Sequence, residues 1–188
     1  VNAPPPSFAR PDARFRESWL EALREYHDEG RHDEIDDELL EDPDEFARYC
    51  AAVNAGVERP GEPDYYFARL YGTRMPGEWV DGYVPQTVLW WAAGDEYLGR
   101  LSLRHRLTPH LLYHGGNIGF EVRPSARRRG HATAMLAAAL PLAAELGIDP
   151  ARVDCEVGNA ASRRVIEHNG GVLDEERDDS LFFWVPTR

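Results

Sequence analysis

Ile118-Gly-Phe-Glu-Val-Arg-Pro-Ser-Ala-Arg-Arg-Arg-Gly-His-Ala-Thr-Ala-Met-Leu136 decides how this chain is read. It predicts a strand, a short basic loop and the start of a helix, with the spacing Arg127-x-x-Gly130-x-Ala132 in the loop. The first turn of a helix has backbone N–H groups without helical partners, and the positive end of the helix dipole lies behind them. Where the side chains are small enough for close approach, those groups can grip a pyrophosphate. Gly130 and Ala132 supply that smallness.

Working outward, the C-terminal half reads as strands alternating with helices. Thr87–Ala92 and Tyr97–Leu107 predict a hairpin turning at Gly94-Asp95-Glu96, followed by a strand over Gly116–Arg123. Gly130–Leu146 predicts a helix closed by Gly147 and kinked at Pro141. A strand at Val153–Val157, a helix at Asn159–Asn169 and strands near Val172–Glu176 and Leu181–Val185 complete the order. Toward the N-terminus, apolar residues at Phe15, Trp19, Leu20, Leu23 and Tyr26 recur with helical period, with Gly30 as a stop. Arg31–Asp42 reads as an acidic loop or short exposed helix, and Pro43–Gly56 as a second helix with Phe46, Tyr49, Cys50 and Val53 on one side. Glu58–Asp81, rich in Pro and Gly, has no regular pattern. The expected fold is α/β, with strand-helix-strand crossovers on a mixed central sheet. The whole chain, 1–188, is expected to be one domain, with 1–84 as a helical, loop-rich N-terminal portion.

Composition removes several functions. The net charge is −12, which opposes nonspecific nucleic-acid binding. The charge is uneven: residues 1–64 carry 18 Asp and Glu against 7 Arg, whereas 65–188 carry 15 against 14. All 21 basic residues are Arg, so a lysine Schiff base and a Walker-type phosphate loop are excluded. Cys50 and Cys155 lack metal-ligand spacing and read as reduced, partly buried thiols, and no metal is expected. The longest apolar run, Met135–Ala144, is far short of a membrane span, and the N-terminus lacks a signal-peptide pattern. A soluble, cytoplasmic protein is expected.

The loop motif between strand and helix resembles the GCN5-related N-acetyltransferase (GNAT) superfamily. Asn159-Ala-Ala-Ser162-Arg-Arg-Val-Ile-Glu-His-Asn-Gly170-Gly171 is similar to the same superfamily's Asn-x-x-Ser helix with its glycine turn. Gly99-Arg-Leu-Ser-Leu-Arg-His-Arg-Leu107 followed by Gly115-Gly-Asn-Ile-Gly119 resembles a bacterial subgroup of predicted acetyltransferases within it. The resemblance covers roughly residues 85–175. It implies direct transfer of an acetyl group from acetyl-CoA to an amine, where holding two reactants in line supplies much of the catalysis. It implies that Arg127, Arg128, Arg129, Gly130, His131, Ala132 and Thr133 bind the coenzyme A pyrophosphate, with backbone amides from Arg128 to Thr133 as donors. Phe120, Glu121 and Val122 would pair with the pantetheine arm where this strand and the next diverge, and a main-chain N–H near Val122 would stabilise the developing oxyanion. Asn159 and Ser162 would reach the arm from the other side, while Asn159 can equally cap its helix.

The resemblance also has a gap. Many members carry a tyrosine seven residues after the Asn to protonate the departing thiolate; this chain has Ile166. The general base is open between Glu121, beside the expected thioester but opposite Phe120 and Val122 by strand alternation, and His105, on the face of Leu101 and Leu103. For His105 a buried structural role is the competing reading. His114, His131 and His168 read as surface or turn residues. The expected acceptor is a small-molecule or peptide amine, with a positively charged one favoured by the acidic N-terminal region. A homodimer is compatible with the resemblance. A coenzyme A-binding regulatory module without transferase activity is the alternative function.

Overall fold

The computed structural model describes residues 4–33, 35–55 and 84–188, so the irregular stretch Glu58–Asp81 lies outside the described residues. A short strand, β1 (Ser7–Ala9), comes first; it follows three prolines and carries too little pattern to be read from sequence. Asp12 accepts a hydrogen bond from Arg14 N and starts a 3-10 turn, Ala13–Phe15, that feeds α1 (Arg16–His27). Trp19, Leu20, Leu23 and Tyr26 are buried along α1, as their spacing predicts. The acidic stretch that follows contains α2 (Asp37–Leu40), capped by the Asp36 side chain and pinned by fully buried Leu40. α3 (Pro43–Ala55) starts where Asp42 accepts from the Asp44 and Glu45 N–H groups.

β2 (Gln86–Ala93) and β3 (Glu96–Arg104) form the expected hairpin, turning at Gly94 with φ +63°. After β3 comes a short helix that the sequence reading did not contain, α4 (Pro109–Tyr113), then β4 (Ile118–Val122). α5 (His131–Glu145) continues through Pro141. Pro141 and Ala137, whose carbonyl loses its helical partner, are both exposed, so water can satisfy that oxygen. β5 (Ala151–Glu156), α6 (Ala160–His168), β6 (Val172–Arg177) and β7 (Ser180–Val185) complete the described elements.

The fold is α/β, and its strands pair in two antiparallel sheets, ordered β1-β2-β3-β4 and β5-β7-β6. The first sheet has a core on each face. On one side Trp90 packs against Phe15, Trp19, Phe46 and Tyr97, beneath α1 to α3. On the other, Leu101, Leu103 and Ile118 meet Met135 and Leu136 of α5, Ile166 of α6 and Phe183 of β7. Burying each such side chain contributes about 1.5–3 kcal/mol before entropy is subtracted. This second core spans both sheets, which holds them together where no continuous ladder does.

Candidate active site

β4 and β5 are the neighbouring edges of the two sheets, linked by the crossover helix α5. They touch at one end. Asn117 N donates to Arg152 O at 2.7 Å, and Arg152 N donates to Asn117 Oδ1 at 2.9 Å. Gly116, with φ +53°, lies so close that an added Cβ would be 2.4 Å from Arg152 O. Beyond this joint the strands are not paired, and a cleft of about 410 Å³ opens between Ile118, Gly119 and Phe120 on one side and Asp154, Cys155 and Glu156 on the other. Arg104, His114, Gly115, Asn159, Ser162 and Ser180 complete its lining. Arg104 is fixed by donating to Gly115 O at 2.7 Å.

Register shows which backbone groups of β4 face the gap. β3 and β4 pair Arg100 with Glu121, Leu101 with Phe120 and Gly99 with Val122. Arg123 N donates to Leu98 O and Arg104 N to Asn117 O, so alternation makes Arg100–Glu121 and Ser102–Gly119 the hydrogen-bonded pairs. The N–H and C=O groups of Ile118, Phe120 and Val122 therefore point away from β3, into the gap. Of the three residues expected to pair with an extended ligand, Phe120 and Val122 present main-chain groups there. Glu121 spends its own on β3.

The loop after β4 carries the other half of the site. Arg128 has φ +61° and Gly130 φ +82°, and Gly130 is the N-cap of α5. The first helical bond is Ala134 N to Gly130 O, so the N–H groups of His131, Ala132 and Thr133 precede the helical ladder. Gly130 has no side chain to cap them, and a Cβ built on it meets nothing within 4 Å. Arg128, Arg129 and Gly130 are exposed; His131, Ala132 and Thr133 are half-buried. Partial burial, then the charge of Arg129, lowers the His131 pKa, which favours the neutral ring.

Arg127 is oriented differently from its neighbours in the motif. Its two terminal nitrogens donate to the two carboxylate oxygens of Glu29, both at 2.7 Å, and its Nε donates to Val122 O at 3.2 Å. Across the cleft, Asn159 caps α6 by accepting from Ser162 N at 3.0 Å, so the capping reading holds while both residues line the cleft. Ile166 is fully buried, and Gly171 packs so tightly on it that an added Cβ would fall 2.5 Å from its side chain. The position at which many members of the resembled superfamily carry a tyrosine is here part of the core.

The two candidate bases lie apart. Glu121 faces α1, where Arg100 approaches at 2.9 Å, Arg31 at 3.0 Å and His32 Nε2 at 3.0 Å. Burial alone would raise its pKa, but the Arg100 charge, the His32 hydrogen bond and the Arg31 charge outweigh burial and hold the carboxyl at about 2. Trp19, Tyr26, Ile35, Tyr49 and Tyr97 line a small cavity of about 20 Å³ beside it. His105 follows the end of β3, beyond the joint, with Nε2 2.9 Å from Thr87 Oγ1. Alternation keeps it on the α5 side of the sheet, opposite Glu121. The two cannot serve the same proton. Sequence reasoning did not find Arg31, His32 and Arg100. Arg100 becomes visible once the β3–β4 register is known, whereas the loop residues Arg31 and His32 carry no periodic signal. Cys50 and Cys155 are both free and buried, and burial pushes their thiols up to about 12 and about 11.

Solved structures share this architecture at low identity. The microcin C7 self-immunity acetyltransferase MccE, in complex with acetyl-CoA and AMP, is 10% identical, with 96% of this chain and 92% of that one covered at a TM-score of 0.57. YncA, a putative acetyltransferase from Salmonella typhimurium with acetyl-CoA, is 16% identical over 100% and 95%, TM-score 0.56. Mycobacterium smegmatis RimJ in complex with CoA-disulfide is 18% identical over 96% and 81%, TM-score 0.58. No curated protein is significantly similar in sequence. Residues 22–172, most of the chain and both halves of the site, match the acetyltransferase (GNAT) domain family, and the chain belongs to that family.

Proposed function

We propose that this protein is an N-acetyltransferase that holds acetyl-CoA in the gap between β4 and β5 and passes the acetyl group directly to an amine. The observation that carries this reading is the coincidence of an unpaired strand edge at Phe120 and Val122 with an uncapped helix N-terminus at Gly130. An extended amide-bearing arm matches the first, as an added strand does. A diphosphate matches the second, through the N–H groups from Arg128 to Thr133 and the charges of Arg128 and Arg129. Asn159 and Ser162 flank the arm from α6. Relatives of the same fold crystallised with acetyl-CoA or coenzyme A support the choice of donor.

The thioester supplies an activated acetyl group; the chain supplies position and polarity. The Val122 N–H polarises the carbonyl, and the closed second core beneath Phe120 keeps water from that side. Glu121, held at about 2, is a weak base at neutral pH. Its part is to orient the His32 ring and the acceptor amine rather than to keep a proton. His105 has no direct part, being on the far face. Asp154 and Glu156 at the cleft wall favour an acceptor that arrives as an ammonium. It gives its proton to solvent, the amine lone pair forms the amide bond as the C–S bond breaks, and coenzyme A leaves as a thiolate while the surplus amine proton passes to water.

Ile166 in place of the usual tyrosine favours one other reading, a coenzyme A-binding module without turnover. Release of free thiol from acetyl-CoA on addition of a panel of primary amines decides between the two. Catalytic release with at least one amine is expected. Tight acetyl-CoA binding with no thiol release across the panel would support the binding module instead.

A further inference from the structure

Arg127 sits at the first position of the phosphate-loop motif, yet its guanidinium turns to α1. All three of its nitrogens are engaged by groups that belong to no ligand: a bidentate pair with Glu29, at the end of α1, and a bond to the carbonyl of Val122. The pairing lowers the Glu29 pKa and raises that of Arg127, so both are charged at neutral pH. Two further ties run alongside. Glu25 accepts from Ser125 N at 2.9 Å and from Ser125 Oγ at 2.8 Å, and it pairs with buried Arg123. The loop that would hold the diphosphate is thus fastened to α1 and the turn after it through Glu25 and Glu29, as well as to β4 through Val122 O.

We propose that Arg127 is a positioning residue: through Glu29 it fixes the main chain at Val122 and the following loop in the geometry that receives acetyl-CoA, without itself touching the phosphates. The guanidinium alone supplies the required fork, two parallel donors to one carboxylate and a third to a carbonyl. A lysine carries the same charge but cannot make that pattern. The inference rests on the acetyl-CoA reading above and adds to it a role for Glu29, an acidic residue outside the loop.

The sign of the Glu29 effect makes this testable. If Glu29 acted only through its charge, Glu29→Gln would remove a negative group near an anionic ligand and tighten binding. If the brace matters, the same change loosens it. Acetyl-CoA is titrated calorimetrically against wild type, Glu29→Gln, Arg127→Lys and the double variant, and kcat is measured with the best amine. Each single variant is expected to bind about fivefold more weakly, in line with loss of one well-formed bidentate pair. The double variant is expected to bind no more weakly than either single one, because the same brace is lost. The kcat of all three should fall in parallel. Equal or tighter binding by Glu29→Gln overturns the proposal, as do losses that multiply in the double variant or an Arg127→Lys protein that binds like wild type. Absence of binding by wild type would remove the acetyl-CoA reading itself, and this inference with it.

Discussion

The two ends of the β4–β5 gap are built on opposite principles. At the closed end Asn117 and Arg152 exchange main-chain and amide hydrogen bonds, and Gly116 approaches Arg152 so closely that there is no room for a Cβ. At the open end Phe120 turns both its main-chain groups, and Val122 its N–H, away from β3 toward the gap, and the first turn of α5 has N–H groups outside its ladder. Buried backbone groups are nearly always satisfied, so a strand edge left unpaired inside a fold is a place kept for another extended chain. The closed end sets the divergence; the open end exploits it.

Breaking the closed end gives the largest expected effect. In Gly116→Val, a β-branched residue takes φ +53° with its Cβ against Arg152 O, and urea unfolding should lose on the order of 4 kcal/mol. A loss under about 1 kcal/mol would show that the joint does not need this contact. Next comes acid sensitivity at the open end. Glu121 is held at about 2, below its ordinary value of 4.5, so its contribution is present above that ordinary value and is lost as pH falls toward 2. It amounts to about 3 kcal/mol by linkage. Glu121→Gln should flatten the fall in stability between pH 5 and 2, a range set by those two values. An unchanged slope would mean that the Arg31, Arg100 and His32 contacts add little.

Asn117→Ala sharpens the comparison from the other direction. It leaves the buried Arg152 N–H without its acceptor at 2.9 Å and should cost about 2 kcal/mol in chemical unfolding. The smallest effect is expected at Asn159→Ala, where loss of the α6 cap removes about 1 kcal/mol. There the more telling readout is the Michaelis constant for acetyl-CoA. A rise of more than about threefold, beyond what a frayed helix end explains, would give Asn159 a ligand contact in addition to its cap.

Most of this architecture is legible in the sequence because it depends on local signals. Helical spacing along Trp19, Leu23 and Tyr26, the Gly94 turn, and the Gly130 and Asn159 starts of two helices each have a short-range cause. What was not legible is long-range. Arg127 pairs with a residue 98 positions away and Glu121 with residues 89 and 90 away, and no periodicity encodes such partners. The loop motif therefore revealed the helix N-terminus but not that its first arginine turns away from it. The short strand Ser7–Ala9 and the helix Pro109–Tyr113 were invisible for a different reason: three and five residues hold too few positions for a period to register.

The central claim is that an anion is gripped at the N-terminus of α5, and one titration addresses it directly. Acetyl-CoA is added to wild type and to Gly130→Glu, a site where a side chain meets nothing within 4 Å and the positive φ alone costs about 1–2 kcal/mol. The account predicts saturable binding by wild type and none by the folded variant, whose carboxylate occupies the diphosphate position and repels it. Equal heats from both proteins would contradict it.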